Sequence, residues 1–228
     1  MQPLLLLHGA IGAASQLQPL ADKLKTDFSI HTLDFSGHGG RSVTDEPFSI
    51  ALFAGDVLRF MKEQQIDKIS VFGYSMGGYV GMYLARYHPE KISKVITLAT
   101  KYHWDETIAA KEIQMLHPEK IEQKIPAFAE TLKDRHNPSA WKEVLKKTAE
   151  MITALGNDNT LKEGDYASVS TPALLLLGDR DKMVSLEETV AVYKTLPNAR
   201  LGVLPNTPHP IEQVDVNLLA FMVKHFLE

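Results

Sequence analysis

The sequence predicts an α/β protein: a parallel sheet with helices on both faces, in three layers. Three observations predict it. Short apolar runs rich in Leu, Ile and Val alternate with segments whose apolar residues recur at helical spacing. One such run passes into a helical pattern through Gly73-Tyr74-Ser75-Met76-Gly77, a G-x-S-x-G turn that carries meaning only between a strand and a helix. The alternation breaks once, between Leu98 and Ala173, where helical patterns succeed one another without a strand.

Leu4–Leu7 is apolar at every position and ends in His8-Gly9-Ala10, as expected of a parallel strand buried on both faces. Ser15 is placed to cap a helix running to about Thr26, with Leu17, Leu20, Ala21 and Leu24 on one side. Phe28–Leu33 is the second strand, followed by the glycine-dense loop Asp34–Ser42. Ile50, Phe53, Val57, Phe60 and Met61 then mark a helix to about Gln65. The third strand carries Ile69, Val71 and Phe72 into Ser75, and a helix from Met76 to Tyr87 stops at His88-Pro89. Lys94–Leu98 is a fourth strand, β-branched at Val95, Ile96 and Thr97.

Downstream, Ala173–Leu177 is the fifth strand, ended by Gly178-Asp179-Arg180-Asp181. Ser185 and Glu188 form a capping-box signature for a helix to about Leu196. Arg200–Leu204 is a short last strand. Pro210 suits the first position of a final helix that turns Ile211, Val214, Leu218, Met222 and Phe226 inward. The intervening region holds three helical patterns, 106–116, 118–135 and 138–155, punctuated by Pro118, Pro138 and Gly156-Asn157. A helical insertion at the C-terminal end of a strand reads as a cap over the sheet edge where ligands bind in such folds. The expected organisation is a core of residues 1–100 and 170–228 with a cap of residues 101–169.

Composition narrows the function classes. The 228 residues suit one α/β domain with an insertion, and 44% hydrophobic residues allow a sizeable core. A net charge of −4 without a polybasic block argues against nucleic acid or an anionic membrane surface as a partner. The absence of cysteine excludes disulfides and thiolate metal sites and fits a cytoplasmic protein. Leu4–Leu7 is too short for a signal or membrane segment.

A serine hydroxyl is a poor nucleophile until a base takes its proton, and the base needs an acid to orient it. Ser75 would stand clear of the sheet at a helix N-terminus, where the dipole favours developing negative charge. Of the nine histidines, His209 follows the last strand and precedes the last helix, at the sheet edge where Ser75 is exposed. His225 lies inside the last helix, and His88, His117 and His136 lie at helix ends, where capping or solvated roles are expected. The loop after the fifth strand offers Asp179 and Asp181 as acids.

These motifs resemble the α/β-hydrolase family, in an order spanning Leu4 to Phe226. Gly73–Gly77 resembles its nucleophile elbow, and the order Ser, acid, His is the family's. The resemblance implies Ser75 as nucleophile, His209 as base and, from the family pattern Gly-x-x-Asp, Asp181 as acid. Asp179 is then left to bond loop amides or Arg180. Placing the acid after the preceding strand instead finds no carboxylate before Asp105. His8-Gly9-Ala10 resembles the family's oxyanion turn, which assigns the backbone amides of Ala10 and Met76 to the oxyanion. Gly37-His38-Gly39-Gly40-Arg41-Ser42 resembles its Gly-His-Gly-x-Ser loop with one residue inserted.

Two departures stand out. The family's opening β-hairpin is missing, which implies six parallel strands in the spatial order second, first, third, fourth, fifth, sixth, with Phe28–Leu33 at an edge that needs protection. The usual Gly-His is Pro208-His209-Pro210 here, and two flanking prolines either preorganise the imidazole or displace it.

The activity implied is a serine hydrolase acting on a small or medium carboxylic ester through an acyl-enzyme, with a small-molecule acyl substrate and no metal or organic cofactor. The same triad would serve C–C bond hydrolysis of a β-diketone, amide or thioester hydrolysis, acyl transfer or perhydrolysis. A ligand receptor on a hydrolase scaffold is the non-enzymatic alternative. Candidates for the substrate lining are Tyr102, His103, Trp104, Met115, Phe128 and Met183. Neither the natural acyl group nor the oligomeric state is written in these motifs.

Overall fold

The structure is a computed structural model that describes residues 1–138 and 140–228. A single six-stranded sheet forms its centre: β1 (Pro3–Leu7), β2 (Ser29–Leu33), β3 (Ile69–Tyr74), β4 (Ile92–Leu98), β5 (Ala173–Gly178) and β6 (Ala199–Leu204). All pairings are parallel and the spatial order is β2-β1-β3-β4-β5-β6, as the motifs imply.

The apolar runs bury alternate residues on opposite faces. Leu5 and Leu7 of β1, Val71 of β3 and Leu175 of β5 face one core, which takes in α2 (Ile50–Glu63), α3 (Met76–Tyr87) and α9 (Leu186–Thr195). Leu4 and Leu6, Phe72, Leu174 and Leu176 face the other, built with α1 (Gln18–Leu24) and α10 (Val216–Leu227). Both faces are covered, so unbroken apolarity is what such strands require. Edge strand β2 is only half-buried, and its five-residue length and Ser29, His31 and Thr32 limit it as a pairing template.

Between β4 and β5 lie α4 (Glu106–Glu112), α5 (Pro118–Lys124), α6 (Pro126–His136), α7 (Trp141–Asn157) and α8 (Glu163–Ala167). Three polar hooks hold this segment to the loops after β1 and β2. The His136 ring donates from Nε2 to the Ile11 carbonyl at 3.1 Å and accepts from the Gly39 amide at Nδ1. Arg135 donates to the same Ile11 carbonyl. Lys147, buried on α7, donates to the carbonyls of Thr44 and Glu46. At the far side, Tyr79 of α3 donates to Asn159 and accepts from the Leu161 amide.

Local differences from expectation have physical causes. Residues 118–135 break into two helices at Ile125, because Pro126 disfavours the helical conformation in the residue before it. Trp141 rather than Pro138 opens α7, and Ser139 lies outside the described residues. Ser15 does not cap: residues 14–17 form a 3-10 turn whose Ala13 amide donates to Gln16 Oε1, and α1 begins at Gln18. Pro210 likewise precedes a short 3-10 turn, and Asp215 caps α10 by accepting from the amides of Asn217 and Leu218.

The capping box at α9 is half present. Ser185 Oγ accepts from the Glu188 amide at 3.1 Å. The Glu188 carboxylate instead accepts from the amides of Tyr102 and His103, at 2.6 and 2.7 Å. Two amides at the start of the insertion outbid the single amide behind it. No helix among the described residues is long and apolar enough to cross a membrane.

Candidate active site

Ser75 stands between β3 and α3 at φ 51° and ψ −117°, a backbone region strained for any residue with a side chain. The surroundings over-determine it. Its amide donates to the Leu98 carbonyl at 2.8 Å, and its carbonyl accepts from the Gly78 amide and from Thr100 Oγ1. The flanking glycines are demanded by close approach. A Cβ on Gly73 would sit 2.3 Å from the Gly77 carbonyl carbon, and one on Gly77 would sit 2.5 Å from the Leu7 carbonyl oxygen.

His209, in the loop after β6, turns its Nδ1 to Asp181 Oδ2 at 2.8 Å. Asp181, in the loop after β5, also accepts from the amides of Met183 and Val184 through Oδ1. Burial pushes this carboxyl up. The hydrogen bond and charge of His209, with the Val184 and Met183 amides, outweigh burial and hold it below the usual value. Asp179 is occupied otherwise: it accepts from the Thr207 amide at 3.1 Å and lies 3.9 Å from Arg180. The backbone of His209 is anchored by Tyr74, whose hydroxyl donates to its carbonyl at 3.0 Å. Pro208 and Pro210 thus frame a histidine whose ring reaches Asp181.

Ser75, His209, Ala10 and Met76 line one pocket of about 80 Å³. Met76 is the first residue of α3, so its amide has no intrahelical acceptor. The pocket walls are largely apolar: Ile50 from α2, Met151, Ile152 and Leu155 from α7, and Val184 from the loop after β5. Lys101, Trp104, Met183 and Val184 also border a larger outer cleft of about 920 Å³.

The proposed lining residues separate into three groups. Trp104 and Met183 line both spaces. His103 reaches only the outer cleft, exposed beside Asp105, and Tyr102 borders that cleft with its side chain buried and its hydroxyl against Thr97 Oγ1 at 2.6 Å. Met115 and Phe128 line neither space. Met115 is exposed on the turn after α4, and Phe128 packs against Ile121, Leu132 and Trp141 in a separate cluster. In their place the pocket takes Glu112, Met151, Ile152 and Leu155. The α7 residues recur at i, i+1 and i+4, a signal that marked an apolar face without saying what it meets.

His8 is a structural group. Its Nε2 accepts from the Phe35 amide and its Nδ1 donates to the Gly9 carbonyl at 2.7 Å, which holds the turn before Ala10. Burial pushes its pKa down to about 4, so the ring stays neutral. Among the described residues, no group of three or more His, Cys, Asp or Glu side chains is arranged to hold a metal ion.

A half-buried serine, an imidazole bonded to a carboxylate, and Ala10 and Met76 share this one pocket, an arrangement suited to acyl chemistry. The family described as alpha/beta hydrolase fold matches residues 2–140. A putative esterase/lipase of Haemophilus influenzae is 23% identical, across 98% of this chain and 82% of its own length. Esterase YbfF of Escherichia coli is 33% identical over a shorter stretch, 42% of this chain and 37% of its own. Among solved structures, a putative lipase from Acinetobacter baumannii superposes with a TM-score of 0.84 at 19% identity, over 99% of this chain and 83% of that one.

Proposed function

The chain belongs to the α/β-hydrolase fold family, and from that premise we propose that it is a serine hydrolase cleaving small or medium carboxylic esters. The observation that carries the reading is the 2.8 Å bond between His209 Nδ1 and Asp181, with Ser75 on a strained turn in the pocket that His209 lines. Esterase- and lipase-named relatives support the reaction class.

The roles follow from the chemistry. With Nδ1 donating to Asp181, the His209 Nε2 lone pair takes the Ser75 proton as Oγ attacks the ester carbonyl. Asp181 holds the imidazole in that tautomer and stabilises the imidazolium. The amides of Met76 and Ala10 meet the oxyanion, where one such donor is worth about 3–4 kcal/mol. His209 then protonates the leaving alcohol, and a water activated by the same ring releases the acid from Ser75.

Residues 101–169 act as a cap on a core formed by 1–100 and 170–228. Trp104, Glu112, Met151, Ile152 and Leu155 supply the wall over Ser75, and a small-molecule ester is the partner they fit. Labelling with a fluorophosphonate beside an ester-length panel tests the reading. Wild type should be labelled and active, and Ser75→Ala should lose the label and lower kcat by roughly 10⁴–10⁶. A wild type that is neither labelled nor active on any acyl substrate would sink it.

A further inference from the structure

Glu112 is the last residue of α4, 7% exposed, and it lines the pocket with Ser75 and His209. Among the described residues its carboxylate makes no hydrogen bond and no ion pair. Its neighbours on the wall are Ile50, Met151, Ile152, Leu155 and Val184. A carboxylate without a partner on a largely apolar wall is stabilised when a counter-charge arrives beside it. The cation on the same wall does not supply one. Lys101 lies 3.6 Å from Glu188 and stands over the Trp104 ring, 5.9 Å from its centre.

We propose that Glu112 makes this pocket selective for esters whose short acyl chain carries a primary ammonium group. The inference rests on the serine-hydrolase reading and names its substrate class. The volume sets the length: about 80 Å³ holds a few heavy atoms, given roughly 30 Å³ for a water. The acyl chain, which stays on Ser75 between the two steps, takes the inner pocket. The alcohol, which must leave, takes the open cleft of about 920 Å³. An ammonium two carbons from the carbonyl would pair with Glu112. A neutral acyl chain of the same shape would leave Glu112 without a counter-charge, the kind of mismatch that discriminates more strongly than a missing methylene.

The test compares kcat/KM for ethyl 3-aminopropanoate, its neutral isostere ethyl butanoate and the anionic monoethyl succinate. Wild type should prefer the ammonium ester at least about tenfold over the isostere and disfavour the anion. Glu112→Gln should abolish the preference. Equal use of the first two by wild type, or a preference that survives in Glu112→Gln, overturns the inference. NMR titration of Ser75→Ala with the same esters gives a readout that needs no turnover. The ammonium ester should bind more tightly, and adding Glu112→Gln should remove the difference. Ser75-dependent cleavage of ethyl butanoate without ammonium preference defeats this inference and spares the hydrolase reading. Selective binding by Ser75→Ala with a wild type inert to every ester does the reverse.

Discussion

The Tyr74 hydroxyl donates to the main-chain carbonyl of His209 at 3.0 Å, and the two rings lie tilted with centroids 5.5 Å apart. The residue before the proposed nucleophile thus anchors the backbone of the proposed base. Tyr74 is a positioning residue in this scheme, since nothing requires it to touch substrate. Such a hydrogen bond is worth about 1 kcal/mol, or roughly fivefold in rate if it is spent on alignment. Tyr74→Phe should therefore lower kcat by about that factor with KM unchanged. Steady-state kinetics with a thermal melt checks this, and a raised KM with kcat unchanged would assign Tyr74 to binding instead.

The two loop aspartates should differ sharply. Asp181→Asn removes the charge beside His209 Nδ1 and favours the wrong tautomer, so kcat should fall by about 10⁴. Asp179→Asn keeps an acceptor for the Thr207 amide and should stay within about tenfold of wild type. The ratio of the two kcat values is the measurement, and a larger loss from Asp179→Asn would reverse the assignment.

Gly77→Ala should damage activity and folding together. The added methyl would press on the Leu7 carbonyl at 2.5 Å and the His8 carbonyl at 2.6 Å, both backbone. Overpacking of this kind costs about 1–3 kcal/mol and shifts the turn that carries Ser75. Nothing lies within 4 Å of where a Cβ on Gly55 would sit, so Gly55→Ala, in the middle of α2, should be neutral or stabilising. Melting temperatures of the pair decide.

Acid should loosen the protein well above the carboxylate range. His8, His38 and His136 meet under the loops after β1 and β2, with ring centroids 5.2 and 5.7 Å apart. Burial pushes His8 and His136 down to about 4 and His38 well below its ordinary value. Between the unfolded value of 6.5 and about 4 the unfolded chain binds more protons than the folded one. Stability is therefore full above about pH 6.5 and falls as pH drops through that window. His8 alone contributes on the order of 3 kcal/mol across it. Asp181, held low in the fold, adds stability above its unfolded value of 3.8, lost on further acidification. Melts at pH 7.5, 6 and 5 test the sign, and an unchanged melting temperature over that range would contradict it.

Much of the architecture was legible because it is locally encoded. Strands buried on both faces announce themselves as unbroken apolar runs, which is why Leu4–Leu7 and Ala173–Leu177 read correctly. The strand-to-helix turn at Ser75 was legible because close approach there requires glycines at Gly73 and Gly77. His209 and Asp181 could be nominated because strand ends of a parallel sheet share one edge. The helix break at Pro126 and the 3-10 turns were harder to read, since they depend on a balance of local geometry that periodicity does not resolve.

By itself, then, the sequence determined the strands of the sheet and nominated Ser75, His209 and Asp181, while the strand order came from the resemblance and is the order observed. Only the tertiary structure decided which face of the insertion looks at Ser75. Periodicity says that Met151, Ile152 and Leu155 share a side of α7, and equally that Phe128 has apolar company on α6. What those sides meet depends on how the helices dock, and docking is set by distant hooks: His136 on Ile11, Lys147 on Thr44 and Glu46, and Glu188 on Tyr102 and His103. Those contacts join residues far apart in the chain. For that reason Glu112 in the pocket with Ser75 was invisible in the sequence, and Met115 and Phe128, named as candidates, line neither space.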